Sequence, residues 1–119
     1  MSKNKDFSDT ALSRYSLALF ELAEEENSIG EIEHNSLLIS NLILKNNELS
    51  EIIKNPTNTR EDLHLVVNKI SEIYKLNNLF TKFLNFLVEK RRFFFVEKIL
   101  KNFVQTCSKK RGEVTANLT

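Results

Sequence analysis

The sequence predicts an all-α protein folded as a six-helix bundle, and two observations carry that prediction. Apolar residues recur at intervals of three and four along six successive segments, which is the period of one helix face. The chain of 119 residues holds only two Gly and one Pro, so it is poor in the residues that form tight turns between strands. A chain of this length can bury one hydrophobic core without metals or disulfides.

The first two predicted helices are separated by a polar junction. Helix one begins near Ser8 or Asp9, whose side chains can cap the first free amides, and it runs to Asn27. Helix two begins at Ser28, which stands three residues before Glu31 with the spacing of a capping box. The apolar residues of helix two are Ile32, Leu38, Ile39, Leu42 and Ile43.

Asparagine pairs and a proline set the bounds of the third and fourth helices. Asn46-Asn47 interrupts the pattern, and a short third helix ends at Asn55-Pro56 because the residue before proline avoids the α region. Helix four begins at the capping-box sequence Thr59 to Asp62 and ends before Asn77-Asn78. Its apolar stripe consists of Leu63, Val66, Val67, Ile70, Ile73 and Tyr74.

The last part of the chain predicts two more helices and a short tail. Helix five spans residues 79–90, and helix six follows Arg91-Arg92 with a stripe ending at Cys107. After Gly112 the alternation of apolar and polar residues predicts a strand or a disordered end. Residues 1–110 are therefore predicted as the helical domain, and residues 111–119 as a tail that starts a further C-terminal domain missing here. The remaining apolar positions of helix six are Val96, Ile99, Leu100 and Phe103.

Charge and composition argue against several classes of partner. Seventeen Lys and Arg against sixteen Asp and Glu leave a net charge of +1, so no domain-wide positive field exists to gather nucleic acid or anionic lipid. The N-terminus lacks the apolar run of a signal peptide, and roughly 18 consecutive apolar residues, the length of a membrane span, occur nowhere. We expect a soluble protein that is made and kept in the cytoplasm.

Groups that could perform chemistry are sparse. His34 and His64 lack the spacing of a metal-ligand set, with only Glu31 and Glu61 as weak neighbouring pairings, and we interpret both as solvated histidines. The two glycines are too far apart for a phosphate loop, and no serine stands in a nucleophile elbow. Cys107 is interpreted as a small core residue, with a reactive thiol as the alternative. We expect no catalytic residue, no metal and no cofactor.

The first and fifth helices are apolar over an unusually wide arc, with two neighbouring stripes each. Such a helix is either central in the bundle or shared with a partner, and the sequence leaves both alternatives open. If the extra stripes lie side by side, they form a groove for an amphipathic guest helix, and small Ala11 and Ala18 permit close approach. The predicted groove residues are Ala11, Tyr15, Ala18, Leu22, Leu79, Phe83 and Phe86.

Two blocks of sequence resemble a known family, the delta subunit of bacterial rotary ATP synthases, called the oligomycin-sensitivity-conferring protein in mitochondria. The first block is SRYSLALFELAEE, residues 13–25. The second is residues 83–114, with a Glu-x-x-Arg junction at Glu89 to Arg92 and Arg-Gly-Glu-Val at Arg111 to Val114. In the first block the resemblance rests on Arg14, Tyr15, Ala18, Leu19 and Phe20.

The resemblance implies a non-catalytic stator role. It implies a six-helix N-terminal domain on the crown of the catalytic head, where the first and fifth helices hold the N-terminal helix of an alpha subunit. Members of the family continue into another domain, which would contact the b-type stalk subunits. The implied location is peripheral, on the cytoplasmic side of the bacterial inner membrane, during ATP synthesis.

Two rival hypotheses remain at this point. A helical RNA-binding or antitermination-like factor would use a basic patch beside Phe93 to Phe95, and its binding would weaken steeply with salt. A generic scaffold domain would have no groove at all. The cations of the basic patch are Lys90, Arg91, Arg92, Lys109, Lys110 and Arg111.

Overall fold

A computed structural model of the protein describes the backbone of residues 2–118 and the side chains of residues 10–111. Six α-helices and one 3-10 turn account for its secondary structure, and residues 2–118 contain no strand. The predicted all-α class and the six helices are confirmed. The elements are α1 (Ser2–Glu25), α2 (Ile29–Lys45), α3 (Asn47–Lys54), α4 (Arg60–Tyr74), α5 (Asn78–Glu89), the 3-10 turn (Phe93–Phe95) and α6 (Val96–Leu118).

Helix α6 lies at the centre of the bundle. Its stripe of Ile99, Leu100 and Phe103 is completely buried, because spacings of one, three and four residues keep these side chains on one face. Helices α1 and α2 both pack along α6, and α4 packs on α5. Cys107 continues the buried stripe, which confirms its interpretation as a core residue. The core is therefore organised around the last helix.

Three helices end in the same way without a glycine. Asn27, Lys75 and Arg91 adopt positive φ of 54°, 53° and 59°. In each case the next amide reaches back across the last turn to a carbonyl five residues earlier, which is the Schellman arrangement. These hydrogen bonds are Ser28 N to Ala23 O (2.8 Å), Leu76 N to Ser71 O (3.0 Å) and Arg92 N to Leu87 O (2.8 Å). Glycine usually occupies the positive-φ position of this motif, but here Asn, Lys and Arg occupy it, so these helices end sharply without glycine.

Helices α2 and α4 begin where the sequence predicted, but the predicted capping box forms at α4 and not at α2. The Thr59 hydroxyl accepts from Asp62 N at 3.1 Å, and the Asp62 carboxylate accepts from Thr59 N at 3.3 Å, so this capping box forms. Ser28 makes no cap, and among the described residues its buried hydroxyl has no partner. With ψ at 25°, Ser28 lies outside the extended conformation that capping requires, because its amide closes α1.

The two ends of the chain depart from the predictions. Helix α1 begins at Ser2 rather than near Ser8 or Asp9. The predicted strand or disordered end does not form, because α6 continues to Leu118. Apolar Val114 and Leu118 are four residues apart, so their spacing suits a helix as well as a strand, and a strand would need a partner. The side chains of the predicted tail lie beyond the described ones from residue 112 onward.

Candidate functional site

Helices α1 and α5 meet through two aromatic rings. The centroids of Tyr15 and Phe86 lie 6.0 Å apart with the planes tilted by 60°, a geometry that favours aromatic attraction. Tyr15 is half-buried, whereas 44% of Phe86 is exposed. Lys90, one turn beyond Phe86, places its Nζ 5.7 Å from the centroid of the Phe86 ring. The contact therefore joins the two helices at the protein surface.

The outer face of α1 continues this aromatic contact with apolar side chains. Ala18 lies one turn after Tyr15, and Leu22 follows one turn later, so the three share a face. Ala18 and Leu22 are exposed. The small side chain of Ala18 leaves room for a partner backbone to approach. We call this set the α1–α5 surface: Tyr15, Ala18, Leu22 and Phe86.

One correction to the predicted groove follows from burial. Phe83 is 4% exposed and belongs to the core, so the prediction that it lines an open surface is wrong. Leu17 is exposed as well, but one residue from Ala18 and two from Tyr15 it lies on a different face of α1. Phe83 and Phe86 are three residues apart on one wide arc, and the periodicity alone cannot decide which of them faces the core. Ala11 and Leu79 are half-buried at the margin.

A second apolar cleft lies between α2, α3 and α4. It encloses about 430 Å³, with Leu65 69% exposed on one wall. Ile73 is 60% exposed and Tyr74 is also exposed, so these two members of the predicted apolar stripe of α4 do not face the core. Helix α4 packs mainly on α5, and only Val67 of its stripe is fully buried, because one flank of this helix faces outward.

His64 has a structural role that the sequence did not predict. Its Nδ1 lies 2.6 Å from Asn85 Oδ1, and its Nε2 lies 2.6 Å from Glu89 Oε2. The Asn85 amide nitrogen donates to Asn68 Oδ1 at 3.2 Å, which directs the Asn85 oxygen toward the ring. Both ring nitrogens therefore face acceptors, an arrangement that only the protonated imidazolium satisfies. The partner is Glu89 of α5 and not the neighbouring Glu61.

The electrostatics of this cluster agree with its geometry. The hydrogen bond to Asn85, followed by that to Glu89, raises the pKa of His64 above its ordinary value. The hydrogen bond from His64 lowers the pKa of Glu89, and Arg60 adds a contact of 3.4 Å to the same carboxylate. His64 thus ties α4 to α5. His34 is exposed on α2, as predicted.

The described side chains offer little for catalysis. Within residues 10–111, no group of three or more His, Cys, Asp or Glu is placed to hold a metal ion. Burial raises the pKa of the Cys107 thiol to about 11, which suppresses the nucleophilic thiolate. Across that same part of the chain, no helix has both the length and the apolar character needed to cross a membrane.

The basic residues of the RNA-binding hypothesis do not form one patch. Helix α6 separates the group at Arg92 from the group at Lys109 by roughly 20 Å, at 1.5 Å per residue. Arg111 donates to both carboxylate oxygens of Glu33, at 2.6 and 2.9 Å, and so ties α6 to α2. Of the three phenylalanines beside Arg92, only Phe94 is exposed. These observations do not favour phosphate binding.

The fold and the described surface define a class: a helical, non-catalytic binding module with an apolar face on its first and fifth helices. The sequence profile of the ATP synthase delta (OSCP) subunit family matches residues 12–119, and the chain belongs to that family. This family provides a structural subunit of the ATP synthase peripheral stalk, which is not catalytic.

Individual relatives agree with that assignment. The chain is 60% identical over 119 residues to the ATP synthase subunit delta of Pelagibacter ubique, covering 100% of this chain and 64% of that protein. It is 30% identical over 105 residues to the ATP synthase subunit delta of Erythrobacter litoralis, covering 88% of this chain and 57% of that protein. The chain thus spans less than two thirds of the length of these relatives.

A solved structure shares the fold. One chain in the cryo-EM structure of the Toxoplasma gondii mitochondrial ATP synthase hexamer superimposes with a TM-score of 0.73 at 22% identity. The match covers 77% of this chain and 51% of that chain. At this identity the likeness establishes the helical fold alone.

Proposed function

We propose that this chain is a static joint in the peripheral stalk of ATP synthase, holding the N-terminal helix of an alpha subunit on the α1–α5 surface. The observation that carries the proposal is the exposed apolar face of Ala18 and Leu22 on α1, which continues from the contact between Tyr15 and the exposed Phe86 of α5. A helix with one apolar face can bury that face against such a surface. Family membership supplies the ATP synthase context.

The proposed joint resists torque and has no chemistry of its own. Rotation of the rotor pushes on the catalytic head, and the head turns idly unless a stator holds it. A holding contact needs slow dissociation, which burial of apolar area can provide without buried charge pairs whose desolvation offsets their attraction. We place the complex on the cytoplasmic side of the bacterial inner membrane, with this subunit peripheral to the membrane through the complex.

The remaining partner belongs to the part of the family that this chain does not span. Its curated relatives are longer, and this chain accounts for 64% of the Pelagibacter ubique protein. We propose that residues 1–110 form the helical domain, that residues 111–119 lead into a further domain, and that the further domain binds the b-type stalk subunits.

The test is titration calorimetry of this chain with a peptide that copies the N-terminal helix of the Pelagibacter ubique ATP synthase alpha subunit. Ala18→Asp should weaken binding by roughly 100-fold or more, because the partner would bury an unpaired carboxylate. It should leave helical circular dichroism and the melting temperature near wild type, because Ala18 is exposed in the free domain.

Leu65→Asp is the matched control, since it places the same charge on the exposed apolar face of α4. It should bind the peptide like wild type. Absence of binding by the wild-type chain would overturn the proposed function. Equal affinities of the peptide for wild type and Ala18→Asp would show that the peptide does not bind at the α1–α5 surface.

A further inference from the structure

Cations gather at one end of the α1–α5 surface. Arg14 of α1 and Arg92, which follows α5, line a cleft of about 280 Å³. Tyr15 forms part of the same cleft, so the cleft is continuous with the Tyr15–Phe86 contact. Lys90 adds a third positive charge from the Phe86 side. The remaining lining residues are Thr10 and Ala11.

These cations lack counter-charges among the side chains of residues 10–111. The ion pairs in that range involve Arg60, His64 and Arg111 with Glu89 or Glu33. Arg92 is half-buried, and the one hydrogen bond of its side chain within residues 10–111 is a 3.4 Å contact to the carbonyl of Arg91. A partner that covers this end of the surface removes water from both guanidinium groups, and their desolvation is unfavourable unless the partner provides an acceptor.

The other end of the α1 face has the opposite charge. Glu21 and Glu25 are exposed seven and eleven residues after Arg14, so they continue the stripe of Arg14 beside Leu22. Arg14 and Leu22 are eight residues apart on α1, or roughly 12 Å along the helix axis. Along α1 the charge therefore changes from positive near Arg14 to negative near Leu22, while on α5 Lys82 is exposed one turn before Phe86.

We propose that the guest helix carries a carboxylate that enters the cleft between Arg14 and Arg92, about two helical turns from the apolar side chain that contacts Leu22. The proposal rests on the proposed function, and it adds the chemistry and direction of the guest. Guanidinium groups bind carboxylates through paired N–H donors, so Arg is suited to this contact.

The charge pattern also selects one direction of binding. A guest helix laid the other way round would bring its carboxylate beside Glu21 and Glu25. Like charges placed together by a partner disfavour that complex, and specificity is the difference between the two arrangements. The apolar contacts of Ala18, Leu22 and Phe86 do not distinguish the two directions by themselves. Arg14 and Arg92 are thus specificity-determining residues.

The experiment uses this chain and the Pelagibacter ubique alpha-subunit peptide described above. Arg14→Glu combined with Arg92→Glu should weaken binding roughly tenfold in low salt. The single variant Arg92→Glu is tested beside it, and Arg91→Glu is the matched control for that single variant, because it makes the same charge reversal one residue away, on the wall of a different cleft. Arg91→Glu should change the affinity for the peptide by less than about twofold.

A set of peptides identifies the carboxylate. Each Asp or Glu of the peptide is changed in turn to Asn or Gln, and one change should lower affinity for wild type roughly fivefold, the upper range for an exposed ion pair. That same change should raise the affinity of the double charge-reversal variant, because it removes a repulsion between carboxylates, and should have no effect on the neutral variant Arg14→Gln with Arg92→Gln. If the double charge reversal unfolds the domain, Arg14→Gln with Arg92→Gln replaces it.

The direction has its own readout. A nitroxide attached beside the identified carboxylate should broaden the amide signals around Arg14 more strongly than those around Leu22. Stronger broadening around Leu22 would overturn the proposed direction. Unchanged affinity of the double variant at low salt would overturn the carboxylate proposal while the proposed function stands. Failure of wild type to bind any of the peptides would overturn both.

Discussion

The rings of Tyr15 and Phe86 lie 6.0 Å apart at 60°, and they join the first helix to the fifth at the protein surface. The two residues come from opposite halves of the chain, yet both border the exposed Ala18 face of α1. Phe83, one turn before Phe86, is buried in the core. Two phenylalanines of the same helix therefore have different roles, one in stability and one in the proposed binding of a guest.

Alanine substitutions at these two positions should separate folding from binding. Phe83→Ala removes a buried ring and should lower the free energy of unfolding by about 3–5 kcal/mol. Phe86→Ala should lower it by less than about 1 kcal/mol, because the ring is 44% exposed, yet weaken binding of the alpha-subunit peptide roughly tenfold. Urea unfolding and calorimetric titration measure the two effects. A larger loss of stability at Phe86 than at Phe83 would contradict this assignment.

The His64 cluster predicts a pH dependence of stability. The pKa of His64 is raised by Asn85 and Glu89, so its stabilising contribution is complete below its ordinary pKa of 6.5 and is lost as pH rises through the higher folded value. The pKa of Glu89 is lowered, so its contribution is present above 4.5 and is lost as pH falls through the lower folded value. The pair should stabilise most between these two ordinary values.

Urea midpoints of wild type and His64→Gln from pH 4 to 9 test this expectation. The difference between the two proteins should be largest near about pH 5.5, the middle of that window, and should shrink toward pH 9 as the imidazolium deprotonates. His34→Gln is the control, since His34 is exposed on α2. A difference between wild type and His64→Gln that grows toward pH 9 would show that neutral His64 makes the stabilising contact.

Cys107 should be almost inert in the folded protein. It is 2% exposed, and burial raises its pKa to about 11, so little thiolate exists at pH 8. Labelling with a thiol reagent at that pH should be at least roughly 100-fold slower in native protein than in denaturant. The chain has one cysteine, so the signal reports this site alone. Rapid, stoichiometric labelling of native protein would place Cys107 outside the core.

A glycine at the end of α4 should stabilise the protein. Lys75 has φ of 53°, where a Cβ is unfavourable. Lys75→Gly should raise the free energy of unfolding by about 0.5 kcal/mol, after the greater freedom of glycine in the unfolded chain is subtracted. Lys69→Gly, inside α4, should instead lower it by about 1 kcal/mol. Thermal unfolding of both variants measures the effect, and a destabilised Lys75→Gly would contradict the Schellman interpretation of this helix end.

The sequence by itself determined the helical class, the number of helices and several of their ends. Thr59 and Asp62 are three residues apart, so their reciprocal cap follows from local geometry and was predictable. The stop at Asn55-Pro56 is equally local. The blocks around Tyr15 and Arg111 also identified the family, because they preserve residue types at set spacings. Contacts within one helical turn join residues at fixed short spacings, so they can be predicted from the sequence.

Only the tertiary structure decided which apolar side chains face the core and which polar groups meet. Phe83 and Phe86 belong to the same apolar stripe of α5 in the sequence, yet Phe83 became core while Phe86 became surface, because α5 packs mainly on α4 and the Phe86 flank is left open. His64 bonds to Glu89, and Arg111 to Glu33, across long chain separations. Such pairings depend on how helices pack, and packing is a property of the whole bundle that no single helical period contains.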